Sequence, residues 1–291
     1  MIERQNNTEI VVIKMEDSLY PKDLKETLHP PKQLYCRGNL DLLNRRKVAV
    51  IGSRNVSSYG KWVAHGISKR LSQKGVVVVS GLAKGADTYA HLGALDGGNN
   101  TIAVLGCGLD YYYPSENRKL QKQIENVGLV ISEYPPNFCV KQYNFPERNR
   151  IIAGLSEAVI VAEAGLNSGS MITVHAAEDI GRDVLVVTGN INSQYCIGSN
   201  KLICEGRIPV ASLDFPLEFL GLNDLTIPEN MNELGSDEIL IMKPLLSGKE
   251  YTIDELASTV GLAPSQVNSI VTILEIKGYL HNSLGKVFVA N

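Results

Sequence analysis

Cysteine is scarce in this chain, and the few that are present do not form the pattern of a disulfide scaffold or a metal site. Their number is odd, they are widely spaced, and none stands in a C-x-x-C pair. Disulfide frameworks need paired cysteines, and structural zinc sites need close pairs of ligands. We therefore expect reduced thiols and no bound metal. The five cysteines are Cys36, Cys107, Cys139, Cys196 and Cys204.

Long apolar runs are also absent. The first residues, MIERQNNTEIVV, contain no basic region followed by an apolar stretch, which a secretory signal would show. No later segment approaches the ~18 uninterrupted apolar residues that a membrane span needs. These absences predict a soluble, cytoplasmic protein with no membrane partner.

The chain lacks an excess of positive charge, since its formal net charge is −3 and its pI is near 6.0. From position 222 onward, nine acidic and four basic residues give a net charge of −5. The preceding residues include 24 basic and 22 acidic ones, a net charge of +2. A site for a polyanion is therefore expected in the N-terminal part, as a local cluster of lysine and arginine.

What is present, from residue 47 to about residue 210, is a repeated unit of short apolar run, glycine-rich turn and amphipathic stretch. Runs that are β-branched and apolar at every position are typical of parallel strands covered by helices on both faces. The pattern predicts an α/β fold with an open, doubly wound parallel sheet, whose ligand crevice lies beyond the carboxyl ends of the strands. The predicted strands are 48–51, 76–79, 101–105, 129–131, 158–162 and 184–187, and the predicted helix N-caps are Ser57 or Ser58, Ser115, and Ser168 or Ser170.

Changes in composition divide the chain into four predicted segments. Residues 1–46 contain few regularly spaced apolar residues and are predicted to be a short lead-in to an α/β domain of residues 47–215. Residues 216–236 are predicted to be a linker. Residues 237–291 combine three amphipathic stretches with a final hairpin, which is typical of a small winged-helix domain. Its helices are expected at 237–246, 252–260 and 264–277, and its hairpin at 279–290.

Two loops that follow strands combine glycine with a cation. In the first βα turn, VAVIGSRNVSSYG, Gly52 permits a sharp turn, Ser53 offers a hydroxyl and Arg54 a positive charge. Because the next helix brings unpaired N–H groups to the same place, this turn is a candidate anion site, although Gly52 would also fit a plain turn. In the next loop, SGLAKGAD, the ammonium group of Lys84 can reach a phosphate, and Asp87 is expected to brace the loop.

Two later loops add an aromatic ring, arginines and hydroxyl groups. A ring beside two guanidinium groups suits single-stranded nucleic acid, because a base stacks on the ring while the arginines bind phosphates. A core phenylalanine with solvated arginines fits the same residues, and the sequence leaves both interpretations open. The other loop offers hydroxyls at a second helix N-terminus. The residues are Phe145, Arg148, Asn149 and Arg150 in FPERNRIIAGLS, and Ser168, Gly169 and Ser170 in EAGLNSGSMIT.

No convincing pair of nucleophile and base accompanies these loops. His65, His91 and His175 lie within predicted helices and lack the spacing of metal ligands. The dinucleotide fingerprint G-x-G-x-x-G is missing, since Tyr111 stands where GCGLDY would need its third glycine. These observations favour binding over catalysis and predict no nicotinamide cofactor.

In order along the chain, these motifs resemble the DNA-processing protein A (DprA/Smf) family over nearly all of residues 47–207. The resemblance implies a Rossmann-like DNA-binding protein, rather than an enzyme, that binds single-stranded DNA in a positively charged pocket. It also implies a homodimer that loads the recombinase RecA during natural transformation, without a cofactor. The residues implied to line the pocket are Gly52, Ser53, Arg54, Lys84, Phe145, Arg148, Asn149, Arg150, Ser168, Gly169 and Ser170. The matching stretches are VAVIGSR, VVVVSGLAKGADTYAH, TIAVLGCGLDYYYPSEN, ISEYPPN, FPERNRIIAGLS, NSGSMIT, GRDVLVVTGN and GSNKLICEG.

The chain departs from the family pattern at several points. The family usually has Arg-Gly-Ile-Asp where this chain has Lys-Gly-Ala-Asp at 84–87, which keeps the charge but loses the bidentate reach of arginine. Thr188 replaces a usual proline. The segment before residue 47 is shorter than the helical domain that many members carry.

Two other functions stay open at this point. A nucleotide phosphoribohydrolase of the lysine-decarboxylase-like group would share a related core and carry a PGGxGTxxE phosphate motif. The corresponding stretch here, EAGLNSGSMITVHAAE, lacks the Pro-Gly-Gly run but keeps Glu163 and Glu178 as carboxylates. A third hypothesis, compatible with DNA binding, is that the acidic winged helix binds protein.

Overall fold

The computed structural model describes residues 9–222, 234–246, 250–283 and 285–289. The chain divides into two compact units between Leu222 and Asn223, and each unit has its own hydrophobic core. Over the described residues, no helix combines the length and the apolar character needed to cross a membrane.

A nine-stranded sheet forms the centre of the larger unit. Its strands are β1 (Val11–Lys14), β2 (Gln33–Gly38), β3 (Lys47–Gly52), β4 (Val77–Ser80), β5 (Thr101–Leu105), β6 (Leu129–Ser132), β7 (Ala158–Glu163), β8 (Asp183–Val187) and β9 (Ile208–Val210). Their order in the sheet is β1-β2-β6-β5-β4-β3-β7-β8-β9. Pairing is parallel from β6 to β9 in this order, whereas β2 runs antiparallel to β6 and β1 antiparallel to β2. The predicted α/β class and its mostly parallel sheet are thereby confirmed.

Helices cover both faces of this sheet. The helices described in the larger unit are α1 (Lys22–Lys25), α2 (Ser58–Gln73), α3 (Ala86–Gly97), α4 (Arg118–Val127), α5 (Asn144–Leu155), α6 (Ser170–Glu178), α7 (Ile197–Cys204) and α8 (Phe215–Phe219). Helices α2 and α3 contribute to the hydrophobic cluster on one face, and α5 and α6 contribute to the cluster on the other. This arrangement is the doubly wound architecture that the sequence predicts.

Strand β3 shows why the central strands are apolar at every position. Its side chains alternate between the two faces, so that Val48 and Val50 pack beneath α2 while Ala49 and Ile51 pack beneath α5. Because helices cover both faces, neither set of side chains meets water. Valine and isoleucine also suit the pleated backbone of a strand.

The strand order reverses between β3 and β7, and this reversal opens a crevice at their carboxyl ends. From β3 the chain builds outward through β4, β5 and β6, whereas β7, β8 and β9 extend the sheet in the other direction. The loops after β3 and β7 therefore diverge and leave a gap between them. Glycine is needed at the end of β3, because a Cβ atom on Gly52 would lie 2.7 Å from the carbonyl oxygen of Glu163.

The ends of the larger unit differ from the predicted segments. Residues 11–38, within the predicted lead-in, supply β1 and β2 to the sheet, and Leu34 and Cys36 join its core. In β2 buried and partly exposed residues alternate, as in an antiparallel strand, so this strand lacks the continuous apolar run of the central strands. The predicted linker of residues 216–236 begins inside α8, whose Leu217 is buried against the sheet. Residues 223–233 of that linker lie outside the described residues.

The smaller unit contains the elements that the sequence predicts, in the same order. They are α9 (Ser236–Leu245), α10 (Ile253–Val260), α11 (Pro264–Ile276), β10 (Leu280–Ser283) and β11 (Lys286–Val289). Thr252 caps α10, because its hydroxyl accepts the N–H of Glu255 while the Glu255 carboxylate accepts the N–H of Thr252. The two strands pair antiparallel, and the assignment of this unit to the winged-helix class stays a prediction.

Candidate functional site

A cavity of about 590 Å³ lies in the crevice between β3 and β7, and we call it the switch-point cavity. The loops after β3, β4, β5 and β7 form its walls together with the first turns of α5 and α6. Its volume lies within the usual range of small-ligand sites. The lining residues are Ile51, Gly52, Ser53, Arg54, Asn55, Ala83, Asp87, Tyr113, Gln142, Phe145, Pro146, Arg148, Asn149, Ile152, Asn167, Ser168, Gly169, Ser170, Ile172 and Thr173.

The structure brings most of the predicted site residues together in this cavity, but two of them lie outside its lining. The ammonium group of Lys84 forms an ion pair with Glu116 on the protein surface. Arg150 lies on α5 two positions after Arg148, and its guanidinium group pairs with Glu133 at 2.5 Å. Residues two apart on a helix point in different directions, so of these two arginines α5 directs only Arg148 toward the cavity. The predicted residues in the lining are Gly52, Ser53, Arg54, Phe145, Arg148, Asn149, Ser168, Gly169 and Ser170.

An aromatic stack with a cation above it forms one wall of the cavity. The rings of Phe145 and Tyr113 stack with centroids 5.2 Å apart and an angle of 29° between their planes. The Arg54 guanidinium lies 5.5 Å from the centroid of the Phe145 ring. Phe145 is only partly buried, and Tyr113 is 44% exposed, so both rings can meet a ligand. Sequence reasoning missed Tyr113, although a run of three tyrosines after β5 was a visible signal.

Arg148 lines the cavity from beneath, as a buried structural group. Its side chain is 4% exposed, and its Nη1 donates hydrogen bonds to the carbonyl oxygens of Val104 and, at 2.6 Å, of Gly81. A Cβ atom on Gly81 would lie 2.5 Å from the Arg148 guanidinium, so this glycine makes room for the arginine. The small residues of the loop after β4 therefore leave space for the Arg148 side chain, whereas the sequence predicted that this loop contacts a phosphate.

Asp87 is the buried counter-charge of Arg148. Its carboxylate accepts the N–H groups of Gly81 at 3.1 Å and Ala83 at 3.4 Å, which is the bracing role that the sequence suggested. Burial raises the pKa of the Asp87 carboxyl, and the positive charge of Arg148 opposes that rise. Burial likewise lowers the pKa of Arg148, and the charge of Asp87 opposes that fall. Of the three charged residues in the lining, Arg54 is therefore the one whose cation is exposed.

The N-terminus of α2 is already occupied by a carboxylate of the protein itself. Ser57 caps α2 as predicted, and its hydroxyl accepts the N–H of Gly60 at 3.1 Å. The Glu163 carboxylate, 1% exposed, accepts the Ser57 N–H at 2.7 Å and the Ser57 hydroxyl at 2.6 Å. The anion site expected at this helix N-terminus is therefore filled by Glu163, a strand-end residue whose role the sequence did not reveal.

Hydroxyl groups surround the start of α6 on the opposite wall. The Oγ atoms of Ser168 and Ser170 are 2.8 Å apart, and the Ser170 N–H lies 3.4 Å from Ser168 Oγ. The N-cap position is held by Gly169 rather than by either predicted serine. With Thr173 one turn later, this wall offers several hydroxyls to the cavity.

The residues of the enzyme alternative do not converge on the switch-point cavity. Glu178 lies at the last turn of α6, whereas the cavity contacts the first, and its carboxylate pairs with Arg207 at 2.7 Å. That hydrogen bond lowers the pKa of Glu178 and stabilises the ionised form, which is unsuited to donate a proton. His91 is fully buried beneath the loops, and burial lowers its pKa to about 3.

A second cavity, of about 570 Å³, lies on the other side of the Glu163 carboxylate. Cys196 Sγ lies 3.6 Å from Glu163 Oε1, and burial raises the pKa of its thiol, so the sulfur stays protonated. A protonated thiol is a poor nucleophile. Its lining residues are Ser57, Ser58, Tyr59, Glu163, Thr188, Gly189, Asn190, Ser193 and Cys196.

Comparison with known proteins places the larger unit in one family. Residues 11–221 match the family model described as DNA recombination-mediator protein A. The chain is 48% identical over 196 residues to the DNA processing protein DprA of Streptococcus pneumoniae, which covers 67% of this chain and 69% of that protein. It is 36% identical over 278 residues to protein Smf of Escherichia coli K12, covering 92% of this chain and 74% of that protein.

Solved structures show the same similarity. The DNA processing protein A of Streptococcus pneumoniae superimposes with a TM-score of 0.69 and 45% identity, covering 73% of this chain and 75% of that one. The DNA processing protein A of Helicobacter pylori, described for its unique single-stranded DNA binding mode, gives a TM-score of 0.67 and 33% identity. That superposition covers 73% of this chain and 95% of the Helicobacter chain.

Proposed function

The chain belongs to the DNA recombination-mediator protein A family, and on this premise we propose that it binds single-stranded DNA in the switch-point cavity. The observation that carries the proposal is the stack of Tyr113 and Phe145 with Arg54 above it, in the crevice where an open α/β sheet binds its ligand. The Helicobacter relative, described for its binding of single-stranded DNA, supports the same ligand class.

The geometry of the cavity favours a single strand over a duplex. A base that stacks on the Phe145 ring must leave its own stack and its partner base, which a single strand allows at little cost. The Arg54 guanidinium, exposed beside the ring, is placed to bind the phosphate that follows the stacked base. The hydroxyls of Ser168 and Ser170 can donate hydrogen bonds to the same backbone from the opposite wall.

The cellular role that fits this family is DNA processing in natural transformation. We propose that the protein protects incoming single strands and loads RecA onto them, and that it acts as a homodimer. The acidic smaller unit is assigned a protein-binding role, because a net charge of −5 opposes binding to a polyanion. The family membership and the charge distribution support these assignments.

The test is a salt titration of oligonucleotide binding by matched arginine variants. Arg54→Ala is expected to weaken single-strand binding for every sequence and to lower the slope of log affinity against log salt by about 0.7, the share of one phosphate contact. Arg46→Ala is the control, because Arg46 precedes the amino end of β3, the end away from the cavity, and pairs with Glu157. Equal slopes for both variants and the unchanged protein would remove Arg54 from the interface, and tighter binding of duplex than of single strands would refute the proposed function.

A further inference from the structure

A second set of rings and cations lies beside the switch-point cavity, on the loops that follow β5 and β6 and on the adjoining face of α4. We call it the β5–β6 loop surface; it consists of Tyr112, Arg118, Lys122, Phe138, Lys141 and Tyr143. In its first part, the Arg118 guanidinium lies 4.9 Å and the Lys122 ammonium 5.8 Å from the centroid of the Tyr112 ring.

Its second part has the same composition. The Lys141 ammonium lies 5.4 Å from the centroid of the Phe138 ring and 5.6 Å from that of Tyr143. Tyr143 is 60% exposed, and Lys141 is exposed between the two rings. Phe138 is held in place by a stack with Tyr134, whose centroid lies 4.7 Å away.

The surface is continuous with the switch-point cavity along two chain segments. Tyr112 directly precedes Tyr113, and Tyr143 directly follows Gln142, while both Tyr113 and Gln142 line the cavity. Backbone hydrogen bonds from Gly108 to Phe138, at 2.9 Å, and from Asp110 to Pro136, at 3.1 Å, tie the two loops together. The cavity and the β5–β6 loop surface therefore share the loops that follow β5 and β6.

The cations of this surface contact aromatic rings rather than carboxylates of the described residues. Within the described ranges, no carboxylate lies within ion-pair distance of Arg118, Lys122 or Lys141, and these cations face aromatic rings instead. Neighbouring cations behave differently, since Lys84 pairs with Glu116 and Arg37 pairs with Asp110. Charged side chains alone are usual on a solvated surface, and aromatic side chains alone are usual in a hydrophobic core, so neither environment explains why both occur together here. The combination of one exposed and two partly exposed rings with unneutralised cations is that of a single-strand binding platform.

We propose that the β5–β6 loop surface binds the nucleotides beyond the short segment held in the switch-point cavity, so that the DNA site of a longer strand extends from the cavity across α4. This proposal rests on the proposed function of the cavity. A base would stack on Tyr112 or Tyr143, and the cation displaced from the ring would bind the adjacent phosphate. An acidic protein segment could use the cations, but it would leave the flat ring faces without a matching group.

The experiment compares a short and a long oligothymidylate, of about 5 and about 20 nucleotides, in binding to full-length variants. The double variant Tyr112→Ala/Tyr143→Ala should bind the short strand as well as the unchanged protein does, because the cavity is intact. It should bind the long strand at least about fivefold more weakly, since a stacked base is lost. The double variant Lys122→Ala/Lys141→Ala should lower the salt slope for the long strand only, by about 1.4 for two phosphates.

Two controls separate failure of this proposal from failure of the proposed function. Tyr195→Ala/Lys201→Ala removes the same residue types after β8, on the other half of the sheet, and should change neither affinity. Retained short-strand binding shows that each variant is folded. Unchanged long-strand affinity in both β5–β6 loop variants overturns the extended site while leaving the cavity as the DNA site. If Phe145→Ala binds both the short and the long strand with unchanged affinity, the cavity is not the DNA site.

Discussion

Replacing Phe145 separates a ring that binds DNA from a ring that only packs. Its substitution by alanine removes the stack with Tyr113 and the ring beneath Arg54. It also opens space next to Gly106, where an added Cβ atom would lie only 2.9 Å from the Phe145 ring. A fully buried phenylalanine costs about 3–5 kcal/mol when truncated to alanine. Because Phe145 is only partly buried, we expect about half of that, or about 2 kcal/mol, in the free energy of unfolding.

Phe145→Ala is also expected to weaken single-strand binding, independently of its effect on the free energy of unfolding. Loss of one stacked base costs about 1–3 kcal/mol, which is roughly 5-fold to 150-fold in single-strand affinity. The assay measures affinity by fluorescence anisotropy and stability by urea denaturation, each at one salt concentration. Phe145→Leu is the matched control, since it keeps much of the packing but has no flat ring and should lose affinity while keeping most of the stability. A stability loss of 3–5 kcal/mol in Phe145→Ala with unchanged DNA affinity would show that Phe145 is a core residue.

Three further predictions concern the buried charges and the smaller unit. Arg148→Met should destabilise the protein by about 3–5 kcal/mol in urea denaturation, because it leaves Asp87 as a buried carboxylate without its counter-charge. Without Arg148 the pKa of Asp87 rises further, so the folded variant binds a proton that the unfolded chain releases. Its stability should therefore increase as pH falls through the raised pKa, and a flat stability profile between pH 7 and about pH 4 would contradict the electrostatic interaction between Arg148 and Asp87. Deletion of residues 223–291 should leave single-strand affinity within about tenfold, because the deleted segment carries a net charge of −5; duplex binding by that segment would contradict the charge argument.

The sequence predicts the central strands closely because their signal is local. The strand ends agree within about one residue at β3 and β5, where apolar, β-branched runs are bounded by glycine and polar residues. The edge strand β1 lies in a short β-branched run, IVVI at residues 10–13, which the prediction missed. Its neighbour β2 has no such run, and its place in the sheet depends on pairing with β6, far along the chain. Strand β9 is three residues long and is likewise held by its neighbour β8.

The site could be predicted in part, because loop positions follow from the topology while side-chain directions do not. The loops after parallel strands open at one edge of the sheet in any doubly wound fold. Phe145 lies at the start of α5, which joins β6 to β7 beside β3, and this crossover brings it near Arg54. The burial of Arg148 could have been found from Ile151 and Ile152, which follow it by three and four positions and mark the apolar face of α5. The pairing of Arg150 with Glu133 depends on a contact between distant segments, and no local pattern indicates it.

The Glu163 carboxylate fills the N-terminus of α2, so an anionic ligand that approached this helix end would have to compete with a side chain of the protein itself. In related open sheets the same helix end holds the pyrophosphate of a dinucleotide. Here a diphosphate approaching Ser57 would find that N–H donating to a carboxylate, and it would also face a negative charge in a dry environment. The buried charge of Glu163 thus disfavours a free diphosphate at this helix end, whereas the proposed single-strand site relies on Arg54 and the aromatic wall instead.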